Sequence, residues 1–256
     1  MWQRIKYSIG LLLALLTFNK CGLMNSNPIY KYNPIDVFAS PQLELAQAIR
    51  AKRAADIPQL VRRAEGRDLN AAGKDGMTLL FWALAHRDPQ ALEQLLRAGA
   101  DPNVAMGEGE EAVFAIAMAA GGAVDENFHL LLRHGANPSG TMKGTPATFK
   151  AVYARRFDRM RALLDREADI DAVDGQTNNT LVHFCAVLKL FEQVAHLIER
   201  GADFTIGDGV GGSVALEVQE ERGRLNEATE KWRAKVEELL IAKGVEFPVP
   251  QPWLQK

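Results

Sequence analysis

Cysteine is almost missing from this chain of 256 residues: Cys21 and Cys185 are the two present. That is too few for a disulfide framework, and neither belongs to a Cys-x-x-Cys or Cys/His pair with metal-ligand spacing. Aromatic residues make up only 7%, so the core must be filled by aliphatic side chains. An excess of either charge is missing too, with 30 Lys and Arg against 32 Asp and Glu and a formal net charge of -2. Arg4, Lys6 and Lys20 stand in a leading segment without acids, which leaves the rest of the chain mildly acidic. Such a balance argues against nucleic acid, which rewards a basic face.

The usual marks of catalysis are also missing. There is no Gly-x-Ser-x-Gly, Ser-x-x-Lys or His-Glu-x-x-His. His86, His129, His134, His183 and His196 include no pair at i, i+4 and have no acid or nucleophile placed beside them. Gly207-Asp208-Gly209-Val210-Gly211-Gly212 contains Gly-x-Gly-x-x-Gly, but the dinucleotide fingerprint needs a buried strand before it, and Phe204-Thr205-Ile206 is too little strand. Neither an enzyme nor a cofactor or metal site is expected.

What the chain has is one phrase said five times. It reads Leu95-Leu96-Arg97-Ala98-Gly99-Ala100-Asp101, returns at Leu131 to Asn137, Leu163 to Asp169 and Leu197 to Asp203, and fades at Leu239 to Glu246. A period of about 33 residues is the signature of stacked helix-turn-helix units. The 47% hydrophobic content, mostly Ala and Leu, suits helix pairs that bury one another in a long, thin core.

Asp75-Gly76-Met77-Thr78-Leu79-Leu80-Phe81-Trp82-Ala83 sets the register, with Thr78 opening one helix, Asp88-Pro89 opening the next and Gly99 closing it. This resembles the ankyrin pattern Gly-x-Thr-Pro-Leu-His-x-Ala. Thr145-Pro146 restores the Thr-Pro pair, Thr180 and His183 keep Thr and His, and 111–117 is a degenerate copy. His183 resembles the family's hydrogen-bonding histidine beside Thr180. Cys185 falls at the small, buried alanine position, where it reads as inert packing. Two atypical pairs, 42–65 and 213–243, cap the array, as ends facing water require. The expected fold is an all-α ankyrin-repeat solenoid of about six helix-turn-helix units with short hairpin fingers, over residues 41–247.

Residues 1–21 carry a basic start, the apolar run Ile9 to Phe18 and then Cys21. The run is too short to cross roughly 30 Å of hydrocarbon and reads as the core of an export signal. Cys21 resembles the lipidation site of bacterial lipoproteins, although Asn19 and Lys20 stand where that motif has small residues; an uncleaved anchor and a soluble exported protein are the alternatives. A start at Met24 would give a cytoplasmic form without the segment. Residues 22–40, with Pro28 and Pro34 and the aromatics Tyr30, Tyr32 and Phe38, read as a tether whose aromatics can dock on the first repeat. Residues 248–256 are a tail in which Pro248, Pro250 and Pro252 stop helix.

Partners of ankyrin proteins meet the fingertips and the exposed side of the first helices. The resemblance places the fingertips at Lys74, Asp75 and Met77; Met106, Glu108, Glu110 and Glu111; Met142 and Lys143; Gln176, Asn178 and Asn179; and Asp208 and Val210. His86, Tyr153 and Leu188 are expected on the same groove. Exposed methionine would give adaptable apolar contact, and the Glu108 cluster would prefer a basic patch. An export segment followed by such repeats resembles bacterial envelope ankyrin proteins, among them the immunity proteins that neutralise type VI secretion lipase effectors. The alternatives are a periplasmic partner or maturation factor of another enzyme, such as a catalase, and an envelope scaffold. In each case the partner is a protein, met by a monomeric chain held at the membrane through Cys21.

Overall fold

The computed structural model describes residues 32–64, 68–208 and 212–250. A short helix α1 (Pro34–Val37) leads into six helix pairs. They are α2 (Gln42–Arg50) with α3 (Ile57–Arg63), α4 (Leu79–Ala85) with α5 (Pro89–Arg97), and α6 (Ala115–Gly121) with α7 (Asp125–Arg133). After the strands β1 (Thr141–Met142) and β2 (Thr145–Pro146) come α8 (Ala147–Tyr153) with α9 (Phe157–Leu164), α10 (Leu181–Val187) with α11 (Phe191–Glu199), and α12 (Val214–Glu220) with α13 (Glu227–Ala242). First helices pack on first helices along the array, and second on second towards its two ends, which makes the fold the expected all-α solenoid.

The repeated phrase is a helix ending. In the first four copies the amide of the Ala after the glycine position donates to the carbonyl of the first Leu: Ala100 to Leu95, Ala136 to Leu131, Ala168 to Leu163 and Ala202 to Leu197, at 3.0–3.1 Å. This six-to-one bond closes the helix only if the residue between turns left-handed. Gly99, Gly135 and Gly201 do so, with φ of 99°, 84° and 95°, whereas in the fourth repeat Glu167 takes the same turn at φ 64°. A side chain there is strained by its backbone, so Glu167→Gly should stabilise the protein by about 0.5–1 kcal/mol and Gly99→Val should cost about 1–2 kcal/mol. Urea denaturation reads both; equal midpoints would refute the cap.

The Asp and Asn residues after each cap form a second ladder. Asp101 Oδ1 accepts from Asn103 N, and Asn103 Oδ1 accepts from Asn137 N one repeat later, at 2.8 and 2.7 Å. The same relay runs from Asn70 to Asp101, from Ser139 to Asp169 and from Asp171 to Asp203, at 2.8–3.0 Å. Short polar side chains that bond the backbone two residues on are suited to this. They hold successive hairpins in one row.

The third and fourth repeats are joined by an arginine. Arg159 on α9 is fully buried, and its Nη1 donates to the carbonyls of Ala119, Ala120 and Gly122 at 2.7–3.1 Å. Nε and Nη2 reach Asp125 Oδ1 on α7. One guanidinium thus satisfies the carbonyl end of α6 and the charge beside it.

Part of the stretch expected to be a tether belongs to the fold. Pro34–Val37 is helical, and Phe38 is buried with its ring edge-on to Trp82 at 5.5 Å. The aromatic finds its partner on the second repeat, since Trp82 is fully buried and donates Nε1 to Ala46 O at 3.0 Å. At the other end Gln219 on α12 bonds both the amide and the carbonyl of Val249, at 2.7 and 3.2 Å. The segment expected to direct export, with Cys21 and Met24, most of the expected tether, and residues 251–256 lie outside the described residues.

Candidate binding surface

The hairpins form one continuous edge. Met106 pairs with Val113, Val113 with Met142, and Met142 with Thr145, all antiparallel, so the second and third fingers share a small sheet. Val173 pairs with Thr180 in the next finger. Tips turn through left-handed residues with side chains, Asp75 at φ 58°, Lys143 at φ 52° and Asn178 at φ 56°. Asp and Asn tolerate this conformation; Lys143 does not gain from it, and its ammonium lies 3.0 Å from Glu111 Oε2 across the sheet.

Lys74, Asp75, Glu108, Glu110, Glu111, Lys143, Gln176 and Asn178 are exposed on this edge. Asn179 and Asp208 are half-buried, and Asp208 Oδ1 accepts from Gly212 N at 2.8 Å. Val210 lies outside the described residues. The methionines differ from expectation: Met77, Met106 and Met142 are half-buried and pack against the core. Pairing in the shared sheet turns Met106 and Met142 inward, and Met77 lines a small crevice with Tyr32, Val37 and Trp82.

His86, Tyr153 and Leu188 are not brought to the fingers. Each stands at the far end of its helix, a length of roughly 10 Å away for a seven-residue helix. His86 is buried, with Nδ1 2.9 Å from Trp82 O and its ring 4.4 Å from the indole. Burial lowers its pKa first, with the charges of Lys52 and Arg50 adding to the effect. It is a packing residue, because the preceding helix is buried on all sides and leaves the next position no way out. Tyr153 is half-buried with its ring 4.8 Å from Phe184, and burial pushes its hydroxyl pKa up. Leu188 is half-buried against the core.

His183 also departs from expectation. It is buried, and among the described residues neither ring nitrogen has a hydrogen-bond partner and the Thr180 hydroxyl has none either. Thr78 and Ser213, by contrast, do cap their helices, accepting from Phe81 N at 3.4 Å and Leu216 N at 3.2 Å. Cys185 is fully buried, and burial pushes its thiol up to about 12, which keeps it protonated and unreactive. Among the described residues no group of three His, Cys, Asp or Glu could hold a metal ion.

What sequence reading missed is how one-sided the charge is. The hairpins 68–78, 101–114, 137–146, 169–180 and 203–213 carry Asp68 and Asp75, then Asp101, Glu108, Glu110 and Glu111, then none, then Asp169, Asp171 and Asp174, then Asp203 and Asp208. Against these eleven acids stand Lys74 and Lys143. The chain's small net charge therefore hides a strongly acidic edge. The signal was available once the register was known, by counting charge per hairpin rather than per chain.

The comparisons agree with this geometry. The ankyrin repeat family profile matches residues 75–104. The mitochondrial disaggregase of Bos taurus is 29% identical over 140 residues, 51% of this chain and 19% of that protein. The Homo sapiens protein of the same name is 28% identical over 168 residues, 62% of this chain and 22% of that one. The chain thus spans about a fifth of the length of these relatives. Among solved structures, the ankyrin repeat domain of Bcl-3 has a TM-score of 0.60 at 21% identity, covering 79% of this chain and 86% of that one. An ankyrin repeat domain from Acinetobacter baumannii also reaches 0.60, at 20% identity, covering 79% and 98%. With its helix endings, hairpin ladder and these likenesses together, the chain is an all-α ankyrin-repeat solenoid.

Proposed function

We propose that this is an envelope ankyrin protein that binds a cognate type VI secretion lipase effector through its hairpin edge and so neutralises it. The ankyrin array supports a protein-binding role, and such arrays are typically interaction scaffolds. The observation that carries the choice of surface is the acidic edge, which favours a partner with a basic patch. The segment 1–21, read as an export signal with Cys21 at its end, supports a place in the envelope, where such an effector arrives. On this reading the array acts by covering the effector, with Glu108, Glu110 and Glu111 steering the approach.

The test is coexpression with a candidate type VI secretion lipase effector directed to the periplasm. The proposal expects a stable complex and survival of the cells. A lipase that kills equally well with and without the chain, or a complex with a catalase in its place, would contradict it.

A further inference from the structure

The sixth repeat is held on the fifth beside a group of acidic side chains. Glu217 lies half-buried on α12, and Glu220 and Glu221 follow it by three and four positions, on the same side of the helix. Asp208, in the hairpin between the two repeats, adds its charge to theirs. Lys189, in the turn after α10, places its Nζ 2.8 Å from Glu221 Oε2. On α13, which packs against α12 from the other side, Arg233 is bonded to Glu230 at 2.8 Å and Glu237 at 2.6 Å. Arg222 is paired with the same Glu237. The Glu217 carboxylate has neither hydrogen bond nor ion pair among the described residues.

We propose that the sixth repeat is a pH-sensitive end of the array, fastened to the fifth while Glu217 carries a proton and loosened when the proton leaves. Glu217 on a terminal repeat has one neighbouring unit to hold it, so a local charge acts on docking rather than on the whole solenoid. Burial, then the charges of Glu220, Glu221 and Asp208, push its pKa up to about 7, and Lys189 only partly opposes them. A folded value above the ordinary one means that the folded state holds the proton more tightly. The contribution is therefore full in acid and is lost as pH rises from about 4.5 to about 7.

His183 on α10 works in the opposite sense. Burial lowers its pKa, with Asp208 opposing, so the folded state keeps the ring neutral. Its contribution is lost as pH falls below about 6.5. The two must therefore be separated by substitution.

Hydrogen exchange of the whole chain at pH 5.5 and pH 8, corrected for intrinsic rates, reads protection of α12 against that of α6. On going to pH 8 the wild-type ratio should fall about tenfold relative to that of Glu217→Gln, which copies the protonated group and keeps only the rise that His183 gives. Glu221→Gln frees Lys189 to face Glu217 and should shrink the loss. A pH change of the ratio that is the same in the wild type and in Glu217→Gln would overturn the proposal.

Discussion

Arg159→Leu should destabilise the array by about 3–5 kcal/mol, the cost of opening a buried, charged hydrogen-bond centre from one side. Leucine roughly fills the space of the side-chain stem but leaves the carbonyls of Ala119, Ala120 and Gly122 without their shared donor. Each buried carbonyl left unpaired costs on the order of 1–3 kcal/mol, moderated by whatever water can enter. Arg159→Lys keeps the charge but lacks the planar fork, so it should recover only part of the loss. Asp125→Asn should cost far less, because the Asp125 side chain is 59% exposed and water can replace its partner. Arg159 holds the Asp125 carboxyl below its usual range, through hydrogen bond first and charge second. Whatever stability that pair gives is present above about pH 4 and is lost in acid. Because the arginine joins the third repeat to the fourth, its loss should also split a single urea transition into two, as nearest-neighbour coupling in a repeat array requires. A single, unshifted transition would show that the joint is not where the array is held.

Trp82→Ala should cost about 3–5 kcal/mol by leaving a cavity at the first end of the solenoid. Trp82 is among the largest fully buried side chains, and it meets three elements: Phe38 of the leading stretch, Ala46 O on α2, and the ring of His86. Trp82→Phe should separate the contributions. It keeps most of the ring but strands Ala46 O, for a loss of about 1–2 kcal/mol. Circular dichroism through urea unfolding measures both, and alanine costing no more than phenylalanine would contradict the packing described here.

The repeated phrase could be read in the sequence because each copy serves the same backbone bond. The Leu gives the carbonyl, the Gly gives the left-handed turn and the Ala gives the amide. Thr78 and Asp88 could be read because capping leaves a fixed residue type at a fixed position. Arg159 could not be read this way, since arginine on a second helix ordinarily faces water. The sign of its burial is the acid of Asp125 one repeat earlier, which matters only once the two helices are known to touch. Met106 and Met142 were misjudged for a related reason: their inward turn depends on a pairing between two different hairpins. His86 follows a helix with no exposed face, and that apolar run, Leu79 to Ala85, was visible all along.

The hairpin edge is the part of the account on which function rests. Two sets of its acids differ in what they hold. Asp101, Asp169, Asp171 and Asp203 hold the ladder, so reversing them would harm the fold. Glu108, Glu110 and Glu111 stand clear of it on an exposed 3₁₀ turn, with Glu111 meeting Lys143. Only the second kind gives a clean test of binding. The decisive measurement is the association rate of the proposed lipase partner with the wild-type chain and with Glu108→Lys/Glu110→Lys/Glu111→Lys, at low and at physiological salt, with helical content checked. The account predicts a rate lower by about tenfold or more at low salt, a difference that narrows as salt rises, and an unchanged helical spectrum. Equal rates for the two proteins at both salt concentrations would contradict it.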